Sequence, residues 1–318
     1  MLKVIKMTND HIKDAMALFE GAYEREKEHA KALPDFKAIK SLLNKRFDWM
    51  LKEHQGLVAI DNDKVHGYLL YVLGDELFGN QKCAFVPLFG HASIQDRQYQ
   101  IYQSLYIEAS KDWLDKKRLS WVVTSFEHDP VLDEFWFKNG FRQRCADAIA
   151  FPKISKNKND LLTIKKANLN MLSDIEDLHR QHNAYYQEAP LCMPVDDSDP
   201  FKELLEWFEE DNHHLWIAYH KDQALGYMRI EKTGESFISL VDDMMSVTSA
   251  YVHPDKRHMG IASTLLNEIQ AYLLNETQMK RYGVDYESMN PLARGFWETH
   301  FTPYTKSVAR RIDEGILK

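Results

Sequence analysis

The sequence predicts an α/β chain of two tandem domains, each with a largely central sheet flanked by helices. Three observations carry this expectation. The chain has 318 residues, about twice the usual size of a single domain. The same order of strands and helices runs through it twice, at a spacing near 160 residues, which is too long a period for a solenoid and reads as domain duplication. A polar Lys/Asn-rich stretch, FPKISKNKND, separates the two runs and marks the boundary. The expected division is residues 1–152, a linker at 153–160, and a second domain at 161–318.

Each half opens on a short strand pattern, KVIKM or LLTIKKA. A polar Asn-containing turn follows, then an amphipathic helix whose apolar positions are Ile12, Ala15, Met16 and Phe19, or Leu172, Ile175 and Leu178. A second helix comes next, FKAIKSLLNKRFDWMLKEH against FKELLEWFEED. The hairpin GLVAIDNDKVHGYLLYVL then matches HLWIAYHKDQALGYMRIEK, and both second strands enter on Gly-Tyr, at Gly67-Tyr68 and Gly226-Tyr227. A further strand leads into a long helix, Ile101 to Leu114 or Ile261 to Leu274. Each run ends with a late strand and a short aromatic helix, where DPVLDEFWFKNGF parallels NPLARGFWETHF. Strands alternating with helices in this order argue for α/β domains.

Composition narrows the function classes. The apolar fraction of 44% and charged fraction of 28% are those of an ordinary globular protein. No apolar run approaches the roughly 20 residues that span a bilayer, and MLKVIKMTNDHIKDAM lacks the apolar core of a secretory signal, so a cytoplasmic, membrane-free protein is expected. Cys83, Cys145 and Cys192 are widely spaced and form no C-x-x-C pair, which argues against a disulfide framework or a zinc site. The fourteen histidines contain no H-E-x-x-H signature, and no metal is expected. Residues 1–160 hold 24 Lys and Arg against 23 Asp and Glu, while the rest holds 16 against 25. An acidic second half disfavours nucleic acid and suits a cationic amine, although an acidic surface also serves solubility alone.

The stretch VHPDKRHMGIASTLLNEIQAYL, residues 252–273, carries the chemistry. Ile261, Leu265, Ile269 and Leu273 recur every four residues and give a buried helical stripe. The first turn of such a helix has unpaired backbone N–H groups and a positive dipole end. Gly260 and Ala262 leave those groups uncovered, so a pyrophosphate could sit on the backbone with Arg257 and Lys256 at its rim. Small residues at a helix start also serve tight packing, and spacing alone leaves both readings open. The strand MSVTSAYV before the motif, and VDYES with Asn290-x-x-Ala293-x-x-Phe296-Trp297 after it, favour the anion site.

With V-x-P-x-x-R-x-x-G-x-A at Val252 to Ala262, N-x-x-A-x-x-F-W at Asn290 to Trp297 and a closing strand SVARRID, the second half resembles a GNAT-superfamily N-acetyltransferase. The resemblance implies the α+β variant of the fold, with a mixed, mostly antiparallel central sheet flanked by helices in each of two tandem domains, acetyl-CoA as donor cosubstrate, and a primary amine of a small molecule or peptide as acceptor. It implies that the helix start takes the pyrophosphate and that the strand ending at Val252 splays from its neighbour to admit pantetheine. The donor-site residues are then Tyr251, Val252, Arg257, His258, Met259, Gly260, Ile261, Ala262, Asn290 and Trp297.

Two features depart from the family pattern. Trp297 stands where many relatives carry a Tyr that can protonate the leaving thiolate, and indole N–H is no acid at neutral pH. Ser246, Thr248 and Ala250 occupy the inward positions where relatives carry a Glu or His base. Glu287, Asp243 and His253 are the remaining candidates for the base, and Tyr304 for the acid. These absences keep open a second reading, a CoA-binding or sensing protein with weak catalysis. In the first half, QDRQYQIYQSL lies against DKRHMGIASTL, so Gln100 and Tyr102 replace Gly260 and Ala262 and the anion site is expected to be lost. That half is expected to shape the acceptor pocket or to act as a structural partner, and a homo-oligomer stays open.

Overall fold

In the computed structural model, which describes residues 2–77, 79, 81–154, 159–195 and 198–317, the chain divides into two units. One is Met1–Asp147 together with Thr302–Lys318, and the other is Ala148–Phe301. Residues 155–158 of the expected linker lie outside the described residues.

In chain order the elements are β1 (Lys3–Lys6), α1 (Ile12–His29), α2 (Phe36–Glu53), β2 (Gln55–Asp61), β3 (Lys64–Gly74), β4 (Cys83–Val86), β5 (His91–Ser93), α3 (Gln98–Asp115), β6 (Ser120–Phe126), α4 (Pro130–Lys138) and β7 (Arg142–Ala150). They continue with β8 (Thr163–Lys166), α5 (Glu176–Gln187), α6 (Pro200–Phe208), β9 (His214–His220), β10 (Gln223–Glu231), β11 (Met244–Val252), α7 (Ile261–Glu276), β12 (Arg281–Glu287), α8 (Pro291–His300) and β13 (Thr302–Arg311).

In the first unit β1, β2 and β3 form an antiparallel meander. Asn62 and Asp63, both at positive φ, make the two-residue turn between β2 and β3, as the right-handed twist of a hairpin requires. β4 joins β3 antiparallel and runs parallel to β6. β13 then pairs antiparallel with β6 along its whole length, from Thr305 opposite Phe126 to Arg311 opposite Ser120. The closing strand, expected in the second domain, therefore completes the first unit. Ile101, Leu105, Ala109 and Trp113 of α3 pack with Trp121, Phe135 and Trp136 into an aromatic core.

The second unit is a meander β8-β9-β10-β11, with β12 added parallel to β11. Leu215, Ile217 and Tyr227 face Leu178 and Leu204 across the sheet-to-helix layer. On the other side α7 buries Ile261, Leu265, Leu266, Ile269 and Leu273, the stripe that the four-residue spacing predicts.

Candidate active site

The site begins where two strands part. β11 and β12 pair over four residues, Met244 to Val247 against Arg281 to Val284, and no further. On its other side β11 stays paired to β10 as far as Val252, opposite Gly226. Thr248 is the extra residue of a bulge, because Arg229 lies opposite Ser249 and Ile230 opposite Val247. A bulge bends its strand and re-aims the residues beyond it, so the parting starts at Thr248. The backbone edge of residues 248–252 that faces β12 consequently has no strand partner. Gly226 permits the close approach of β10 here, since a Cβ at that position would meet the Tyr251 carbonyl oxygen at 2.7 Å.

Chain leaving β11 turns through His253–Lys256 into α7. His258 and Gly260 both adopt left-handed backbone, at φ 62 and 76. A Cβ on Gly260 would meet nothing within 4 Å, so conformation, and not crowding by protein, calls for glycine here. No side chain caps the first turn of α7. The Arg257 guanidinium lies over the Tyr185 and Tyr251 rings, 5.2 and 5.6 Å from their centroids, and its Nε donates to the Val252 carbonyl at 3.3 Å.

Two cavities flank the parting. The first, about 140 Å³, lies against the start of α7 and is lined by Tyr251, Val252, Arg257, Ala262, Asn290 and Trp297, among others. The second, about 260 Å³ and more polar, is reached from β12 and includes Thr248, Ser249, Asp285 and Glu287. Among the described residues, His182, Ala250, Asn290, Ala293 and Trp297 line both. Asn290 caps α8 by accepting the Ala293 amide and accepts the Tyr185 hydroxyl at 3.2 Å.

Six of the ten expected donor-site residues thus share the first cavity. His258, Met259 and Gly260 form the loop that enters α7, and Ile261 points into the core with 2% exposure. Glu287 lines the second cavity. Two candidates lie away from both cavities. Asp243 sits at the paired end of β11, ion-paired to Arg281 at 3.1 Å, and lines neither cavity. Tyr304 belongs to the first unit, buried on β13, because that strand pairs with β6. His253 accepts the Asp255 amide and is also outside both cavities.

Sequence reasoning missed a pair of histidines on α5. His179 and His182 stand one helical turn apart, and both Nδ1 atoms lie on the Tyr227 hydroxyl, at 2.7 and 2.9 Å. His182 also stacks on Tyr251 with ring centroids 5.0 Å apart. Burial, reinforced by neighbouring His179, Arg229 and Arg257, pushes His182 down to about 3. Burial and Arg229 bring His179 to about 4. The signal was in the sequence: the i, i+3 pair extends the apolar face of Leu172, Ile175 and Leu178.

The first unit differs at the corresponding helix start. The buried stripe of α3 aligns with that of α7, Ile101 with Ile261 and Trp113 with Leu273, but α3 begins three residues earlier. An additional helical turn replaces the glycine loop. Gln100 is exposed on that turn, so it is not an obstructing side chain. Tyr102 is buried opposite Ala262's position, its hydroxyl on His91 Nδ1 at 2.7 Å and its ring against Phe135 and Trp136.

Parted parallel strands beside an uncapped, glycine-entered helix define the class: an acetyltransferase-type α/β domain, here one of two in tandem. Residues 176–301 match the Acetyltransferase (GNAT) family. Two solved structures share the fold along nearly the whole chain. A GCN5-related N-acetyltransferase from Sphaerobacter thermophilus is 10% identical, with 98% of this chain and 95% of that one covered and a TM-score of 0.62. A tandem GNAT protein from the clavulanic acid biosynthesis pathway is 14% identical, with 98% of each chain covered and a TM-score of 0.51. No curated protein matches the chain. Among the described residues, no group of three or more His, Cys, Asp and Glu could hold a metal, and no helix is long and apolar enough to cross a membrane.

Proposed function

We propose that the second unit is an acetyl-CoA-dependent N-acetyltransferase, with the first cavity taking the donor and the second a primary amine of a small molecule or peptide. The unpaired edge of β11 after Val247 carries this reading. An extended pantetheine arm can add to that edge as a strand does, with the diphosphate on the amides that open α7 and Arg257 at its flank. A backbone N–H near Tyr251 or Val252 then polarises the thioester carbonyl. The amine attacks that carbon directly, and alignment of the two reactants supplies much of the acceleration. Asp285 and Glu287, two apart on β12 and both lining the second cavity, favour a basic acceptor. The first unit, with Tyr102 filling its interior, binds no CoA in this reading.

The test is calorimetric and kinetic. Wild type should bind one CoA per chain and release thiol from acetyl-CoA with some member of an amine and polyamine panel. Gly260→Trp, which strains the left-handed turn and covers the amides, should weaken CoA binding by roughly tenfold or more. Unchanged affinity refutes the donor site. Two CoA per chain would refute the reading of the first unit, and a panel without thiol release would refute the enzyme.

A further inference from the structure

The family's usual acid and base are both missing from this chain, since Trp297 and the Ser246, Thr248 and Ala250 positions cannot supply them. The structure offers another group at the place where both are needed. Of the five residues that line both cavities, His182 alone is titratable. We propose that His182 is the proton shuttle of the second unit, taking the proton from the attacking amine on one side and returning it to the departing sulfur on the other. This inference rests on the acetyl-transfer reading above.

The shuttle role uses one of the two tautomers that the hydrogen bonds permit. Both Nδ1 atoms lie on the Tyr227 hydroxyl, at 2.7 Å from His179 and 2.9 Å from His182, and its single hydrogen serves only one of them. In the tautomer of the shuttle that hydrogen goes to His179, and the Tyr227 oxygen accepts from the Nδ1–H of His182. The remaining nitrogen of His182, Nε2, bears the lone pair and hydrogen-bonds to no described residue. Ser249 Oγ, 3.3 Å from His182 Nδ1, and the Tyr251 ring stacked against the imidazole hold its plane. Tyr227 and His179 act as positioning residues, because they fix which nitrogen is the base without themselves standing between the two cavities.

Balance of the step comes from the position. The C–N bond forms as the amine attacks, and the C–S bond breaks as the thiolate leaves. One proton leaves nitrogen for His182 Nε2, and one proton passes from that nitrogen to sulfur, so the imidazole ends as it began. The groups facing His182 are His179 and Tyr186 on its own helix, Tyr227 and Arg229 on β10, Tyr251 on β11, Arg257 before α7, and Asp285 and Glu287 across the second cavity. Buried beside two arginines, the ring is neutral at physiological pH, so its lone pair is available to the proton of the attacking amine.

The experiment uses the full chain. In the ligand-free protein, 15N NMR should find His182 protonated at Nδ1 and neutral at pH 5; an Nε2–H tautomer overturns the proposal. His182→Gln should lower kcat/KM for thiol release by about 10²–10³-fold, the usual contribution of a proton-transfer group. Its CoA affinity, measured by calorimetry, should stay within about threefold, and added imidazole should restore His182→Ala by about tenfold or more. Activity of His182→Gln close to wild type, a loss of CoA affinity that accounts for the lost rate, or failure of imidazole to rescue overturns the shuttle while wild-type turnover leaves acetyl transfer standing. No thiol release by wild type with any amine overturns both.

Discussion

Tyr102 and Ala262 hold the same place on their two helices, and the difference between them separates a filled interior from an open one. Tyr102 is buried among rings, with Phe135 at 6.0 Å and Trp136 at 6.1 Å between centroids. Its hydroxyl binds His91, whose Nε2 in turn reaches the Thr124 carbonyl at 2.9 Å. Removing the ring leaves a cavity that a close-packed core cannot collapse, so Tyr102→Ala should destabilise the first unit by about 3–5 kcal/mol. Tyr102→Phe keeps the packing and strands a buried histidine nitrogen, for about 1–3 kcal/mol. Urea unfolding of both variants gives these values; equal losses would mean that the hydroxyl, not the ring, holds the position. Tyr102 was legible in the sequence as a bulky side chain at the place of Ala262, and Gly260 as an exception. The additional turn of α3 was not, because Gln98, Tyr99 and Gln100 are as acceptable in a helix as in the loop they replace, and only the Gln98 Nε2 to Asp129 Oδ2 bond at 2.7 Å shows what the turn is fastened to.

Helix α5 brings a pH dependence to the second unit that its sequence composition conceals. His179 and His182 titrate at about 4 and about 3 in the folded chain, against an ordinary value near 6.5 when unfolded. Burial is the principal cause in both. Below pH 6.5 the unfolded chain binds protons that the folded unit refuses, so the stability contributed by the neutral pair is complete above about 6.5 and falls as pH drops towards 4 and 3. The slope cannot exceed about 1.4 kcal/mol per pH unit for each group. The first unit carries a group of opposite sense. Glu127 is raised to about 7 by burial, against the pull of Lys306, and its contribution is present below its ordinary value of 4.5 and lost as pH rises through 7. Hydrogen exchange followed peptide by peptide between pH 4.5 and 7.5 separates the two. Protection of α5 and β10 should rise with pH, and His182→Gln should flatten that rise; a rise of equal steepness in the variant would assign it to other groups.

At the scale of the whole chain, the sequence and the structure part over the last strand. Both repeats end in the same kind of segment, RQRCADAIA and TPYTKSVARR, and nothing local in either says which sheet it closes, since a strand's pattern fixes its inward face and not its partner. The order of elements, the hairpins and the α7 stripe depend on short-range spacing and were legible; the destination of β13 depends on geometry between residues far apart in sequence and was not. In the structure β13 lies beside β6, Lys306 Nζ reaches the Glu127 carbonyl at 2.6 Å and Asp133 Oδ1 at 2.5 Å, and Arg310 Nη1 donates to the Tyr106 hydroxyl at 2.7 Å while its guanidinium lies over Trp121. Cutting the gene at the apparent boundary therefore removes a strand from the first unit. A fragment of residues 1–160 exposes the edge of β6, a row of unpaired amides and carbonyls that invites association, and leaves Glu127 buried without its cation. The fragment should aggregate or unfold non-cooperatively, whereas the same fragment extended by residues 302–318 through a flexible Gly/Ser linker should be monomeric with one sharp thermal transition. Light scattering and calorimetry on the two proteins decide it: a monomeric, cooperatively folded 1–160 fragment, unimproved by the added strand, would show that β13 is dispensable to the unit it closes.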